Sequence, residues 1–515
     1  MRRWRRAGRR ATLPLMHDCL DLALDGLAHD GRGIGHLKDP ARPGERGITV
    51  FVAGGLPGQT VRCRVKARKA RFLEAELVEV RQPAADAVPP LCPHAAAGTG
   101  APGCGGCPLQ TMPYASQLEW KTRLARDALV RIGGLDEETL DAAWEATLAS
   151  PALAGFRNRM TFAFGAGPDG LVLGQRSRGG ADVVPTPDCA LLPPGGRELL
   201  AVAQEAAAQS GLPAWHASER RGRGKTGGRG FWRFLTLRQG WLPGETEPRW
   251  WALLLTSPGN QAERAAIRAM GERLLSVRGL SRMGGFIHEE RARDDALASG
   301  ERRILCLDAE GAENPEAAIL HLPLAGRSFA LDAASFFQVN TGAAELLAQT
   351  VRSMAPHGGR GLLDVYCGVG APGQLIAADY ATVLGMESDR RAVALAASNA
   401  TAAGLKGCRY LTGDAGALLK RVASGAPLSG HAKSHTFLVW DTALLDPPRG
   451  GLAPAALDAL LHLKPEHILY VSCNPATLAR DAARLSTSYT LERLAAVDLF
   501  PHTPHLECCS LWRRR

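Results

Sequence analysis

The stretch LLDVYCGVGAPGQLIA, residues 362–377, decides the fold of the C-terminal part of the chain. An apolar run typical of a β-strand passes through a glycine-rich turn into an apolar segment typical of a helix. Gly368 and Gly370 in this turn let backbone N–H groups approach a ligand closely. The stretch therefore predicts the first strand–turn–helix unit of a doubly wound sheet, in which ligands bind beyond the carboxyl ends of the strands.

Strand and helix patterns alternate on both sides of this stretch, from about residue 331 to the end of the sequence. The last strand patterns follow one another with little helix between them, which indicates an antiparallel end to the sheet. The strands predicted here are LLDVY, TVLGME, CRYLTG, TFLVWDTALLD (436–446), HILYVS, YTLERLAAVDLF and LECCSLW.

Polar groups stand at the ends of consecutive predicted strands. Glu387 ends the strand after the glycine turn, Gly413-Asp414 ends the next, and Asp446 ends the one after that. An acidic residue at the second position is typical of ribose recognition. The pattern predicts a nucleoside-containing cofactor, and the lack of a third glycine in register disfavours NAD relative to S-adenosylmethionine.

A thiol and a carboxylate complete this half of the chain. Cys473 lies in YVSCNPATL, where an apolar strand meets an Asn-Pro turn, and Glu507 ends FPHTPHLE. The pair predicts a nucleophile and a general base. The alternatives are a buried strand-end cysteine and a surface carboxylate. Arg449 could bind a substrate or form a structural ion pair.

The N-terminal part of the chain has a different pattern. Residues 16–80 alternate apolar residues with Gly and Pro turns and contain the basic run VRCRVKARKARF, which predicts a small nucleic-acid-binding β-barrel or a solvated β face. A long helix is predicted over 114–132, and short strands mix with helices over 156–330. The basic loop 219–233 suits phosphates and base stacking, or is a surface hairpin tip.

Four cysteines have the character of a metal site. Cys92, Cys104 and Cys107 form C-x11-C-x2-C, and Cys189 follows in TPDCALL. Four thiolates hold either zinc or an iron–sulfur cluster, and their spacing does not decide between the two.

The length, the net charge and the distribution of apolar residues limit the classes of function. A chain of 515 residues predicts two to four domains, and its net charge of +10 favours an anionic partner, nucleic acid first. No apolar run reaches the length of about 18 residues that a membrane span needs, and no secretory signal is recognisable. We therefore expect a cytoplasmic protein with reduced thiols and no membrane partner.

Together these motifs resemble one family over about residues 16–512, the TRAM-domain iron–sulfur RNA uracil-5 methyltransferases. The matching motifs, in the family's order, are DGRGIGHL, VFVAGGLPGQTV, GCGGCPLQTMPYASQLEWK, FRNRMTFAF, FFQVN, DVYCGVG, GMESD, DPPRGGL, YVSCNPATLARD and FPHTPHLE. The resemblance implies a Rossmann-like class I methyltransferase domain (109–149 and 331–515). It implies an OB-like TRAM domain (16–80) and an α+β central domain carrying the cluster (81–108 and 150–330).

The resemblance also implies roles for individual residues. It makes Cys473 the nucleophile and Glu507 the general base of methyl transfer from S-adenosylmethionine to carbon 5 of a uridine. It gives cofactor contacts to Gln338, Tyr366, Glu387 and Asp446, and it assigns a [4Fe–4S] cluster rather than zinc to Cys92, Cys104, Cys107 and Cys189.

The substrate implied is a uridine of 23S rRNA bound by a monomer. The alternatives are a tRNA uridine, or an iron–sulfur RNA-binding protein with impaired catalysis. The last alternative arises because APGQ (371–374) stands where the family has a Thr/Asn-Phe pair. Two other departures are a longer first cysteine spacing and a longer segment before DPPRGGL.

Overall fold

A computed structural model describes residues 18–37, 47–95, 103–168, 170–178, 180–217, 229–426 and 439–515. The chain divides into two compact units. The first contains the described parts of Met1–Trp120, Arg176–Val184 and His502–Pro504, and the second contains those of Lys121–Gln175, Pro185–Pro501 and His505–Arg515. Among the described residues, no helix is both long and apolar enough to cross a membrane.

The first unit contains a closed five-stranded barrel in the order β1-β2-β3-β5-β4. Its strands are β1 (Cys19–Leu27), β2 (Gly33–Leu37), β3 (Ile48–Ala53), β4 (Thr60–Arg68) and β5 (Phe72–Gln82). Alternate residues of β4, such as Val61 and Val65, are buried inside the barrel, as the period of two requires. The basic side chains of β4 face outward, and Lys66 pairs with Glu76 at 3.1 Å.

A seven-stranded mixed sheet has the order β13-β12-β11-β10-β7-β8-β9. Its strands are β7 (Arg159–Gly167), β8 (Gly170–Arg176), β9 (Val183–Pro185), β10 (Trp232–Gly240), β11 (Arg249–Thr256), β12 (Met283–Glu290) and β13 (Arg302–Asp308). The helices α3 (Gly196–Gln209) and α4 (Gln261–Leu275) lie between these strands in the sequence, and a hairpin of β14 (Ile319–Leu324) and β15 (Arg327–Asp332) follows them. This region has the mixed α+β character predicted for 156–330.

The second unit also contains an eight-stranded sheet in the order β18-β17-β16-β19-β20-β22-β21-β6. Its strands are β6 (Trp144–Leu148), β16 (Gly359–Val365), β17 (Tyr380–Glu387), β18 (Cys408–Thr412), β19 (Thr442–Leu445), β20 (His467–Ser472), β21 (Tyr489–Val497) and β22 (Glu507–Arg514). The helices outside the mixed-sheet region are α1 (Tyr114–Arg131), α2 (Glu137–Ala143), α5 (Thr341–Met354), α6 (Ala371–Ile376), α7 (Arg390–Ala402), α8 (Ala415–Ala423), α9 (Pro454–Leu463) and α10 (Pro475–Leu485).

This sheet is doubly wound with an antiparallel end, as the sequence predicted. The strands β16 to β20 are parallel, and β22 runs antiparallel to both β20 and β21. The strand order reverses between β16 and β19, so the carboxyl ends of these two strands form the crevice in which such sheets bind ligands.

One predicted strand is much shorter than expected. TFLVWDTALLD (436–446) predicted a strand of eleven residues, but β19 covers only Thr442–Leu445, and residues 436–438 lie outside the described part. The Asp441 carboxylate accepts hydrogen bonds from the backbone N–H groups of Arg360 and Gly361 on the neighbouring strand. A side chain therefore occupies donors that a longer ladder would have used.

Candidate active site

The glycine turn after β16 has a tightly constrained backbone. Tyr366 has a φ of 66°, a left-handed conformation that costs energy in an aromatic residue, and Gly368 and Gly370 have φ of 54° and 84°. The Tyr366 N–H donates to the Met386 carbonyl at 2.9 Å, which fixes the turn to β17. Strain held in this way is typical of ligand-binding segments.

Glu387 lies at the end of β17, directly across from this turn. One carboxylate oxygen accepts from the Gly368 N–H at 3.3 Å, and the other accepts from the Ser388 N–H at 2.6 Å and from the Ser388 hydroxyl at 2.8 Å. The predicted ribose-binding carboxylate is thus held beside the glycine turn. Asp414, at the end of β18, caps α8 by accepting from the Ala417 N–H at 2.9 Å.

The buried carboxyl of Asp364, which was not predicted as a site residue from the sequence, lies beneath the glycine turn. Burial, followed by the charges of Asp446 and Glu387, raises the pKa of Asp364 to about 7. Its Oδ2 accepts from the Gly373 N–H at 3.2 Å, while its buried Oδ1 has no hydrogen-bond partner among the described residues. The sequence signal was an acidic residue inside an otherwise apolar strand.

Gln338 lies in the half-buried segment between β15 and α5. The Asn158 side-chain amide donates to the Gln338 backbone carbonyl at 3.1 Å. This hydrogen bond connects the FRNRM motif (156–160) with the FFQVN motif (336–340). Phe337 packs in one hydrophobic cluster with Val369 and Ala371 of the glycine turn. FFQVN (336–340) and the turn therefore contribute to the same hydrophobic cluster.

Asp446 and Arg449 lie in the DPPRGGL loop after β19. The pKa of Asp446 is raised to about 7 because its carboxyl is buried. The far end of the loop is held by the buried Asp481, which accepts from the Leu452 N–H at 2.9 Å and from the Tyr470 hydroxyl at 2.8 Å. Asp481 thereby joins this loop to β20 and α10.

Cys473 lies between β20 and α10, at the strand end where the sequence placed it. Asn474 caps α10 through the Ala476 N–H, and its amide donates to the Arg449 carbonyl at 3.1 Å. Burial, followed by the charges of Glu507 and Asp446, raises the pKa of the Cys473 thiol to about 11, and the Arg449 guanidinium opposes this shift. The thiol is therefore protonated at neutral pH.

Glu507 begins β22 and is 1% exposed, so it is not a surface carboxylate. Burial and the charge of Asp446 raise its pKa well above the ordinary value, and Arg449 again opposes the shift. Arg449 Nη2 lies 3.1 Å from His505 Nε2, whose pKa is lowered to about 4, first by burial and then by Arg449. A neutral His505 accepts this hydrogen bond and orients Arg449. His505 was not singled out from the sequence.

The predicted metal ligands divide between the two units. Cys92, Cys104 and Cys107 belong to the first, and Cys189 belongs to the second, where its sulfur lies 4.0 Å from that of Met160. The Gly106 N–H donates to the Cys104 sulfur at 3.4 Å. Within the residues that the structure describes, no three His, Cys, Asp or Glu side chains are arranged to hold a metal ion.

In the described part of the Cys92–Cys107 segment, the pKa of Cys104 is raised overall, although two neighbouring groups favour its thiolate. Burial raises the pKa of Cys104, the Gly106 N–H lowers it, Cys92 raises it and the Arg178 guanidinium lowers it. Residues 96–102 of this segment lie outside the described part, as do residues 218–228 of the predicted basic loop 219–233.

A doubly wound sheet of this order, with a strained glycine turn, a carboxylate at the end of the second strand and a half-buried thiol near a buried carboxyl at its strand ends, is typical of a methyltransferase of class I fold. Comparison with known proteins agrees. A family model described as tRNA (uracil-5-)-methyltransferase matches residues 316–515, and a TRAM domain model matches residues 20–78.

Two relatives extend the similarity to nearly the whole chain. An uncharacterized RNA methyltransferase of Nitratidesulfovibrio vulgaris is 36% identical over 95% of this chain and 94% of its own length. One of Thermosynechococcus vestitus is 33% identical over 96% of this chain and 97% of its own length. The Pyrococcus abyssi tRNA (uracil-54, C5)-methyltransferase, solved with S-adenosyl-L-homocysteine, shares the fold with a TM-score of 0.65 and 22% identity, over 96% of this chain and 100% of that one.

The chain belongs to the family of TRAM-containing RNA (uracil-5-)-methyltransferases. It is accordingly an S-adenosylmethionine-dependent RNA methyltransferase, and the predictions of a class I methyltransferase fold and of a TRAM barrel are confirmed.

Proposed function

We propose that this enzyme methylates carbon 5 of one uridine in 23S rRNA through a covalent bond between Cys473 and carbon 6 of the base. The observation that carries the proposal is the half-buried Cys473 thiol, which lies close enough to Glu507, Asp446 and Arg449 for their charges to shift its pKa. A nucleophile, a carboxyl base and a cation thus meet at the strand ends.

Cys473 is the nucleophile. Carbon 5 of uracil is a weak nucleophile until a thiolate adds to carbon 6 and converts the ring to an enolate. Because the pKa of the thiol is raised to about 11 in the protein alone, the thiol gives up its proton, to solvent water, only as the substrate binds. The nearby Arg449 guanidinium favours the thiolate and stabilises the negative charge that develops on the ring.

Glu507 is the general base. The methyl group enters carbon 5 as the bond to the donor sulfur breaks, and the carbon 5 proton must then leave. Glu507 takes this proton, the electrons of the C–H bond restore the ring double bond, and the bond between Cys473 and carbon 6 breaks. The raised pKa makes the ionised Glu507 a stronger base than an exposed carboxylate, and the Arg449 guanidinium favours the ionised form that accepts the proton.

Gln338, Tyr366, Glu387 and Asp446 hold the methyl donor, whose sulfonium supplies an activated methyl group. Glu387 is already oriented by N–H groups at the end of β17, which leaves it in place for ribose hydroxyls. Tyr366 is half-buried in the strained turn beside it.

The target base must leave its stack before it can reach the half-buried Cys473 thiol. The TRAM barrel and the basic loop 219–233 hold the flanking RNA through phosphate contacts, so binding weakens as salt increases. The Lys66–Glu76 pair neutralises part of the basic face of β4. RNA binding by this face therefore requires the remaining arginines.

The direct test is nucleoside analysis after incubation with S-adenosylmethionine and unmodified RNA. We expect 5-methyluridine from the unsubstituted enzyme and none from Cys473→Ala, which should still bind RNA. Cys306→Ala is the matched control, because Cys306 is a buried cysteine of β13 outside this site. Methylation by Cys473→Ala would contradict the assignment.

The same assay separates the two candidate substrates. A TRAM barrel combined with the cysteine set favours 23S rRNA. A tRNA uridine is the second candidate, because the similarly folded Pyrococcus abyssi enzyme is named for a tRNA uracil. Methylation of 23S rRNA but not of tRNA supports the first, and the reverse result establishes the second.

We also propose that Cys92, Cys104, Cys107 and Cys189 hold a [4Fe–4S] cluster with a structural or RNA-positioning role. The donor chemistry fits, since four thiolates are the usual ligands of such a cluster, and Arg178 lies where it favours thiolates. Anaerobic preparation should yield iron and inorganic sulfide in equal amounts, lost in Cys107→Ser and kept in Cys306→Ser. Zinc without sulfide would exclude the cluster.

A further inference from the structure

The segment in which this chain departs from its family has a defined structure. Gly370 lies in the left-handed region and precedes α6, whose first turn contains Pro372, a position at which a missing N–H is tolerated. Gln374 is only 2% exposed, so a polar side chain fills the space beneath the glycine turn.

The Gln374 side-chain amide is fully engaged in this space. Its Nε2 donates to the Ala396 carbonyl of α7 at 2.8 Å and to the Tyr410 hydroxyl of β18 at 2.8 Å. Its Oε1 lies 3.3 Å from Arg327 Nη2, and its backbone carbonyl accepts from Arg327 Nη1 at 2.7 Å. One side chain therefore connects α6 with α7, β18 and β15.

The contact with the glycine turn is direct. A Cβ atom on Gly370 would lie 2.4 Å from Gln374 Nε2 and 3.1 Å from the Tyr410 hydroxyl. The Gln374 amide and the Tyr410 hydroxyl therefore pack directly against Gly370 and leave no room for the turn to move toward them. The Gln374 N–H also donates to the Gly370 carbonyl at 3.0 Å.

A second buried amide holds the same turn from α7. Asn399 Nδ2 donates to the Val369 carbonyl at 3.1 Å and to the Ala330 carbonyl at 3.0 Å. Asn399 Oδ1 accepts from the Ala330 N–H at 2.9 Å. Asn399 thus joins the turn to β15, the same strand from which Arg327 reaches Gln374.

We propose that Gln374 and Asn399, here called the amide clamp, are positioning residues that hold the turn Tyr366–Gly370 in the conformation that binds S-adenosylmethionine. The inference rests on the proposed donor site. A buried amide whose donors and acceptor are all used fixes a single arrangement, because any displacement leaves a polar group unpaired. The turn is therefore organised before the methyl donor arrives, which reduces the entropy lost on binding.

The test compares the dissociation constant of S-adenosylhomocysteine between the unsubstituted protein and two variants. The constant is measured by calorimetry on the full chain without RNA. Gln374→Met keeps the length of the side chain but loses its hydrogen bonds, and Tyr410→Phe removes one acceptor of the clamp. We expect the dissociation constant to rise roughly tenfold in Gln374→Met and less in Tyr410→Phe, as for the loss of buried hydrogen bonds. The KM for S-adenosylmethionine should rise in parallel while kcat at saturation stays within about twofold.

Tyr489→Phe is the matched control, because the Tyr489 hydroxyl also donates a buried hydrogen bond, to the Pro465 carbonyl at 2.9 Å, outside the clamp. It should lower thermal stability without weakening S-adenosylhomocysteine binding. Unchanged dissociation constants in both Gln374→Met and Tyr410→Phe would overturn the clamp, and so would equal weakening in Tyr489→Phe. Failure of the unsubstituted protein to bind S-adenosylhomocysteine would instead contradict the proposed donor site.

Discussion

At the scale of single residues, Cys473 lies half-buried at the end of β20, and the charges of Glu507, Asp446 and Arg449 act on its thiol. Cys473 and Glu507 could be proposed as reacting groups from the sequence, because each stands at a strand end within a specific motif. Asp364 and His505 could not, since their significance depends on burial and on neighbours distant in the sequence. The raised pKa of Cys473 also follows from packing, because Glu507 and Asp446 approach it from other strands.

Alkylation of Cys473 tests this environment. With a pKa of about 11, the thiolate fraction should increase with pH well beyond 9, the midpoint for an ordinary thiol. Peptide-resolved mass spectrometry after brief iodoacetamide treatment should give a half-maximal rate near pH 11. Glu507→Gln should move the midpoint to lower pH, because it removes a negative charge that opposes ionisation.

The reference for the pH midpoint of Cys473 alkylation is the same peptide in the chemically unfolded chain. A midpoint at or below pH 9 in the folded protein would show that burial does not restrain the thiol. An unchanged midpoint in Glu507→Gln would show that the two groups do not interact.

At the scale of elements, strongly periodic segments were predicted well. The helix expected over 114–132 is α1, Tyr114–Arg131. The strand expected over 436–446 is the instructive difference, because Asp441 ends its ladder through a side-chain contact that propensity does not encode. The segment APGQ (371–374) is a similar case. The sequence indicated that an aromatic residue of the family pattern is missing there, but it could not indicate the buried hydrogen bonds that Gln374 makes.

A buried ion pair connects α1 with the segment that leads to Glu507. Lys121 Nζ lies 2.8 Å from Asp498 Oδ1, both side chains are fully buried, and Nζ also donates to the Phe500 carbonyl at 3.0 Å. Burial lowers the pKa of Lys121 and Asp498 opposes this shift. Lys121→Met leaves the buried Asp498 carboxylate without its cation and should reduce the free energy of unfolding by about 3–5 kcal/mol, measured by urea denaturation.

Two companion variants make this result specific. Lys121→Met combined with Asp498→Leu should recover much of the loss, since no charge then stays buried without a partner. Arg131→Met breaks an exposed pair with Asp127 in the same helix and should change stability by less than about 0.5 kcal/mol. A small effect of Lys121→Met alone would contradict the account.

At the scale of the whole molecule, the alternation of strands and helices and the +10 charge sufficed to predict a nucleotide-type sheet and an anionic partner. The domain boundaries and the iron–sulfur cluster stay predictions. The four cysteines belong to two units, and no three of the predicted ligands converge within the described residues. Spacing can reveal a set of thiols, but their convergence depends on contacts between segments far apart in the sequence.

The central claim is that Cys473 bonds to the target uridine while Glu507 removes the carbon 5 proton. It is tested most directly by mass spectrometry of Glu507→Gln after incubation with RNA and S-adenosylmethionine. Without the base, the methylated intermediate cannot resolve, so we predict a Cys473 peptide that carries a methylated uridylate. Rapid turnover without an adduct, or an adduct on another cysteine such as Cys508, would contradict the account.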